Sequence, residues 1–255
     1  MFGHHHFNVT AVGEHKSFFA DTIGGAPVGV GTSETQAIRF PNALVFLRRQ
    51  TPTGGTKGTT INHIAFGAPD IRRMVDRVRA AGYPIVTRAE LPASFEVNAD
   101  LCYMIDQATY VAFTMAPDET KVEFIEIPSQ KTPVAVHHIH FAAPIVPDMK
   151  AWHVKALGAT PGKRGNFEAA DLPCVNLTYS PAASPVIGTR GRSLDHIGFD
   201  VMDLEGLCAK LKGMGVTLNR PIAPVPALNA TAASITDPWG TDIELTEGLA
   251  GCYAA

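Results

Sequence analysis

Ser193-Leu194-Asp195-His196-Ile197-Gly198-Phe199 decides how this chain is read, because it occurs twice. The other copy is Thr60-Ile61-Asn62-His63-Ile64-Ala65-Phe66, 133 residues earlier. Each places a His between apolar residues in a strand-like run. A repeat at about half the chain length sets the architecture before any local reading does.

The repeat extends in both directions. Downstream, Asp70-Ile71-Arg72-Arg73-Met74-Val75 answers Asp203-Leu204-Glu205-Gly206-Leu207-Cys208, each opening an amphipathic helix behind an Asp N-cap. Gly82 and Gly215 are the matching C-terminal glycines. Each unit closes on a carboxylate-bearing strand, Lys121-Val122-Glu123-Phe124 and Asp242-Ile243-Glu244-Leu245. Upstream, His4-His5-His6-Phe7 answers His138-Ile139-His140-Phe141. A helix follows each, over Glu14 to Thr22 and over Pro147 to Leu157, and Leu44 and Asn176 fall on equivalent last strands.

The chain therefore reads as four units of strand, helix and about three strands, an α+β fold of four βαβββ units. A single unit cannot bury its own sheet face, so units must pair. The polar stretch Ser129 to Pro133 suggests one domain per half, residues 1–130 and 131–255, each a cupped mixed sheet.

Composition is ordinary for a globular chain, and the net charge of −3 argues against a nucleic-acid or anionic-membrane partner. No apolar run is long enough to span a bilayer. Cys102, Cys174, Cys208 and Cys252 form no close pair and read as unpaired thiols in or near the core. The first strand starts almost at Met1 without a signal-peptide pattern. That fits a cytoplasmic protein, or a periplasmic or secreted one whose leader has been removed.

A Glu inside an apolar strand needs a compensating partner. Here the same residue types recur in both halves: His138, His196 and Glu244 in the C-terminal half, and His4, His63 and Glu123 in the N-terminal half. Two imidazoles and a carboxylate suit a divalent metal, and with open positions they suit non-haem iron. The alternative is an ordinary ion pair between each Glu and an Arg or Lys. His4, His5 and His6 offer more than one register for the N-terminal ligand. His15 and His153, on helices, are expected to face solvent.

The motifs Leu194-Asp195-His196-Ile197-Gly198-Phe199 and Asp237-Pro238-Trp239-Gly240-Thr241-Asp242-Ile243-Glu244-Leu245 resemble the vicinal oxygen chelate superfamily. That group includes glyoxalase I, fosfomycin-resistance proteins, methylmalonyl-CoA epimerase and the type I extradiol dioxygenases. The resemblance implies paired units closing a cup around one metal, held by first-strand and last-strand residues. Carried over by position, these are His138, His196 and Glu244, with His4, His63 and Glu123 as a second set.

Glyoxalase-like sites of this family carry a fourth, acidic ligand where this chain has Leu44 and Asn176. A three-residue face favours a dioxygenase using Fe(II) or Mn(II), on a small substrate that chelates through vicinal oxygens. The ring-cleaving members carry a His and a Tyr ahead of the final strand; residues 227–234 have neither. His140, two residues beyond His138 and so on the same sheet face, is the candidate general base, fourth ligand or cavity-lining group. His6 stands in the same relation to His4. Tyr179, Asn176, Arg190 and His6 are candidate substrate contacts. The competing expectations are a lyase, isomerase or epimerase with Zn, Ni or Co and a metal-stabilised enediolate, and a non-catalytic binding protein. Two complete halves permit a monomer as well as a homodimer.

Overall fold

The computed structural model describes residues 2–29 and 35–249; Cys252 lies outside the described residues. All four units appear in chain order. Unit one has β1 (Phe2–Val9), α1 (Val12–Lys16), β2 (Ala26–Val28), β3 (Thr35–Phe40) and β4 (Ala43–Arg49). Unit two has β5 (Ile61–Ala68), α2 (Ile71–Ala80), the short α3 (Thr87–Glu90), β6 (Val97–Asn98), β7 (Leu101–Met104), β8 (Thr109–Ala116) and β9 (Thr120–Glu126). Unit three has β10 (Ala135–Ala143), α4 (Val146–Leu157), β11 (Thr160–Arg164), β12 (Phe167–Leu172) and β13 (Val175–Pro181). Unit four has β14 (Leu194–Asp200), α5 (Leu204–Gly213), β15 (Leu218–Val225), β16 (Ala230–Thr236) and β17 (Asp242–Glu247).

The local signals hold. The Asp70 and Asp203 side chains accept hydrogen bonds from the Arg73 and Gly206 amides, which caps α2 and α5. Gly82 and Gly215 follow these helices at φ +86° and +82°, a conformation that disfavours other residues. The first helix spans the expected stretch but changes pitch within it: α1 passes into a π-helical turn over Ser17–Thr22, which buries Phe18 and Phe19 together.

The pairing of units differs from the expectation of one sheet per half. One sheet runs β15-β16-β17-β14-β1-β4-β3-β2, so unit one pairs with unit four. The other runs β11-β12-β13-β10-β5-β9-β8-β7-β6, so unit two pairs with unit three. Within each sheet the two first strands meet antiparallel, β1 with β14 and β5 with β10.

Linker length supplies the physical reason. The shortest connection between units, residues 127–134, joins two and three, and sequential elements on short links tend to be neighbours. The two longer linkers cross between the sheets and bond to each other. The Thr53 amide donates to the Gly191 carbonyl at 2.8 Å, the Ser193 amide to Gly54 at 2.9 Å and the Thr60 amide to Ile187 at 3.0 Å.

Side chains alternate along each strand. On β1, Phe7 and Val9 enter the core while His4 and His6 take the other face; on β10, Ile139 and Phe141 enter it while His138 and His140 do not. That core is shared by all four units, with Phe19 of unit one 6.3 Å from Phe66 of unit two by ring centroids. The helices pack against it, so His15 and His153 are fully buried rather than solvent-facing. His153 lies beside Phe141 and Tyr179, with ring centroids 4.9 and 5.7 Å away. Among the three cysteines described, Cys102 and Cys208 are buried, whereas Cys174 is exposed in a turn at φ +70°. No described helix is long and apolar enough to cross a membrane.

Candidate metal centres

Because units pair across the halves, the ligand sets regroup. The two sets expected within each half do not form. Site I combines His63 and Glu123 of unit two with His138 and His140 of unit three. One candidate ligand atom from each lies within 4.8 Å of the others, and all four residues are buried. Site II combines His4 and His6 of unit one with His196 of unit four at the same spacing, and Glu244 reaches His4 Nε2 at 3.3 Å. Register fixes both sites: His140 faces His63 and His6 faces His196 across the central strand pairs. It also settles the His4-His5-His6 ambiguity, since His5 takes the opposite face. A single chain supplies every residue of both sites.

At site I, Glu123 Oε2 is 2.6 Å from His63 Nε2 and 3.2 Å from His138 Nε2. The tautomers follow from the hydrogen-bond network. His63 Nδ1 is 2.8 Å from Asn62 Oδ1 and its Nε2 is 2.6 Å from Glu123 Oε2, so both ring nitrogens face an acceptor. Arg164 Nη2 is 3.0 Å from His138 Nε2, and because a guanidinium only donates, His138 Nε2 is an acceptor. The proton of neutral His138 is then on Nδ1, shared with His137 Nδ1 at 2.8 Å. His63 Nε2, His138 Nε2 and one Glu123 oxygen thus converge within hydrogen-bonding distance. A divalent metal that displaced the proton shared by His63 and Glu123 would meet two imidazole nitrogens and a carboxylate oxygen, the donor set it requires.

Burial works in the same direction. It pushes His63, His138 and His140 below the usual imidazole range. Burial also opposes ionisation of Glu123, but the imidazoles of His138 and His63 outweigh it and hold the carboxyl well below its usual range.

Site II repeats the plan with different details. His196 Nδ1 donates to Asp195 Oδ2 at 2.8 Å, which leaves Nε2 buried and without a hydrogen-bond partner. Asp195 is itself held by Asn8 Nδ2 at 2.8 Å and the Gly191 amide at 2.7 Å. Burial opposes ionisation of Asp195, but the His196 imidazole first, then the Gly191 amide and Asn8, bring its carboxyl down to about 2. Such an outer carboxylate orients a ligating imidazole. Burial takes His4 down to about 4. The Glu244 carboxylate is also hydrogen-bonded by Arg220.

The remaining expected residues divide. His140 stands at site I with Nε2 3.0 Å from Ser180 Oγ and Nδ1 unpartnered. His6 stands at site II, its ring stacked on His196 at 4.4 Å. Asn176 lies beside His138 in register, but its amide bonds Asp171 Oδ1 (2.8 Å) and Thr178 Oγ1 (2.6 Å) instead of joining the ligand set. Tyr179 is buried in the core with its hydroxyl 3.1 Å from His153 Nδ1, which overturns the expected substrate contact. Arg190 bonds Asp242 at 2.5 and 3.1 Å on the surface. Leu44 sits in an apolar cluster with Phe46 and Leu249.

Sequence reasoning missed Arg164, Arg220, Asn62 and Asp195. The last two had a signal, since each immediately precedes the repeated His. The arginines had none, because nothing near them in sequence marks the face they serve.

The sequence profile of the Glyoxalase/Bleomycin resistance protein/Dioxygenase superfamily matches residues 101–245. No curated protein matches the chain. Among solved structures, glyoxalase I from Zea mays superposes with a TM-score of 0.71 at 16% identity, covering 97% of this chain and 92% of that one. A "putative dioxygenase" from Bacillus subtilis superposes with a TM-score of 0.69 at 14% identity, covering 97% and 84%. At such identities these two likenesses speak to the fold alone.

Proposed function

Since this chain belongs to the glyoxalase/bleomycin resistance protein/dioxygenase superfamily, we propose that it is a divalent-metal enzyme centred on site I. It acts as a dioxygenase on a small substrate that presents two vicinal oxygens. The observation that carries this reading is the convergence of His63 Nε2, His138 Nε2 and Glu123 Oε2 in one buried cluster. These three residues would hold the metal, Fe(II) or Mn(II), which when bound supplies Lewis acidity and a position for O₂.

The protein's own groups do the rest. Asn62 and His137 hold the Nδ1 atoms of His63 and His138, which turns both Nε2 atoms toward Glu123. His140, kept neutral by burial, accepts a substrate hydroxyl proton at Nδ1. Phe113 packs edge-on against His63 and Phe167 against His140, each at 5.2 Å by ring centroids, and both exclude water. Asn176 is engaged elsewhere, so this reading has three ligands and open positions, as an oxygenase needs.

One observation favours a second reading. His140 offers a ligand atom within the same 4.8 Å set. If it binds the metal as a fourth ligand, the centre has the closed character of a glyoxalase-type lyase or isomerase with Zn, Ni or Co.

Metal content of protein purified anaerobically, without an affinity tag, tests both. Iron or manganese, together with O₂ uptake on a panel of diols, supports the dioxygenase. Zinc, nickel or cobalt selects the second reading. No metal after reconstitution overturns both.

A further inference from the structure

Arg164 ends β11 and reaches into site I from its rim. Burial lowers its pKa, with Glu123 and Asp106 opposing. It forms no ion pair within 4.0 Å among the described residues, unlike Arg220 at site II, which pairs with Glu244. A poorly hydrated guanidinium without a carboxylate is costly, so each of its donors matters. Nε donates to Thr178 Oγ1 at 2.9 Å and Nη1 to Gln107 Oε1 at 2.6 Å. Thr178 is held in turn by Asn176 at 2.6 Å. These two contacts pin the fork without using Nη2. Nη2 donates to His138 Nε2, the lone pair that a metal would take.

Metal and Arg164 therefore compete for one nitrogen. When the metal holds His138, Nη2 is left beside the ligand set with no acceptor, still positioned by its two other contacts. Three neutral imidazoles and one carboxylate do not balance a divalent ion plus a guanidinium, so the loaded site carries excess positive charge. Arg164 also lies 5.8 Å from the Phe167 ring, which walls both His140 and a cavity of about 980 Å³ lined by Phe95, Tyr103, Met104 and Tyr110.

Resting on the metal reading of site I, we propose that Arg164 is a specificity-determining residue. It recognises a carboxylate of the substrate at the metal, with an apolar or aromatic body directed past Phe167. A guanidinium fork suits a carboxylate better than any neutral oxygen.

The test uses the full chain loaded with Mn(II) and two probes of the same size. Salicylate offers a phenol oxygen and a carboxylate; salicylamide offers the phenol oxygen and a neutral amide. In Arg164→Gln, salicylate affinity is expected to fall at least about tenfold, with salicylamide affinity unchanged and Mn(II) affinity equal or tighter. Arg164→Lys, which keeps the charge and loses the fork, is expected to recover part of the loss. The proposal is overturned if salicylate fails to bind the loaded wild-type protein, if both probes weaken equally, or if Mn(II) affinity itself falls tenfold. Glu123→Ala is the separate control: unchanged Mn(II) binding there defeats the metal reading rather than the role of Arg164.

Discussion

Sites I and II descend from one pattern and differ in where their arginine goes. At site I, Arg164 donates to a histidine, and Glu123 stays inside between two imidazoles with a side chain 5% exposed. At site II, Arg220 holds the carboxylate itself, and Glu244 is 16% exposed with its nearest imidazole at 3.3 Å. A second difference lies beneath the first-strand histidine. His138 pairs in register with Ala65, whereas His4 pairs with Gly198, where a Cβ would overlap the His4 ring. Identical ligand types thus give one compact donor set and one whose carboxylate is shared with a surface cation. Presence of the residues is a weaker criterion for a working site than the protonation and pairing of their partners.

The largest effect that would break this contrast is at the carboxylates. Glu123→Ala should abolish metal retention at site I and lower activity by more than about 10²-fold, since even outer-shell partners are worth 10–100-fold. Glu244→Ala should leave activity within about threefold. Metal stoichiometry and turnover of the two variants check this, and equal losses would erase the distinction between the sites.

Acid lability should be common to both halves of the comparison. His5 and His153 are fully buried, and burial lowers each to about 3. Their folded pKa values lie below the unfolded 6.5, so between about pH 6.5 and 3 the unfolded chain binds more protons. Stability is therefore full above pH 6.5 and declines as pH falls, by on the order of 2 kcal/mol per buried His at pH 5. Thermal unfolding of the metal-free protein from pH 7 to pH 5 measures it, and a flat profile would contradict the neutral burial of these rings.

Gly198→Ala should cost about 1–3 kcal/mol through overlap with His4 and weaken metal binding at site II only. The melting temperature and the stoichiometry at each site separate the two effects.

The smallest expected change sharpens the contrast. Arg220→Ala releases Glu244 from a half-exposed partner, so site II should bind Mn(II) a few-fold more tightly. Calorimetry resolving a second, weaker site would show the shift, and weaker binding would mean that Arg220 supports the ligand instead of diverting it.

Much of this was legible in the chain. The repeat of Asn62-His63 and Asp195-His196, the closing glutamates and the answering runs His4-His5-His6-Phe7 and His138-Ile139-His140-Phe141 located every strand that bears a ligand. Period-2 alternation also put His138 and His140 on one face. These are local properties, dictated by which side chains can be buried within a few residues of each other.

The assembly of those strands was not local. The first strands β1, β5, β10 and β14 present nearly interchangeable edges, so no unit's own residues name its partner. Linker lengths and the shared core select units one with four and two with three. That choice moves His138 from Glu244 to Glu123 and His4 from Glu123 to Glu244. It likewise leaves His15, His153 and Tyr179 interior, on the helix and strand faces turned toward the core that all four units share. The sequence by itself determined the four units, the residue types at the sites and the face each occupies. Only the tertiary structure decided which ligands meet, because hydrogen-bonded pairing of equivalent edges depends on the whole chain's path rather than on any segment.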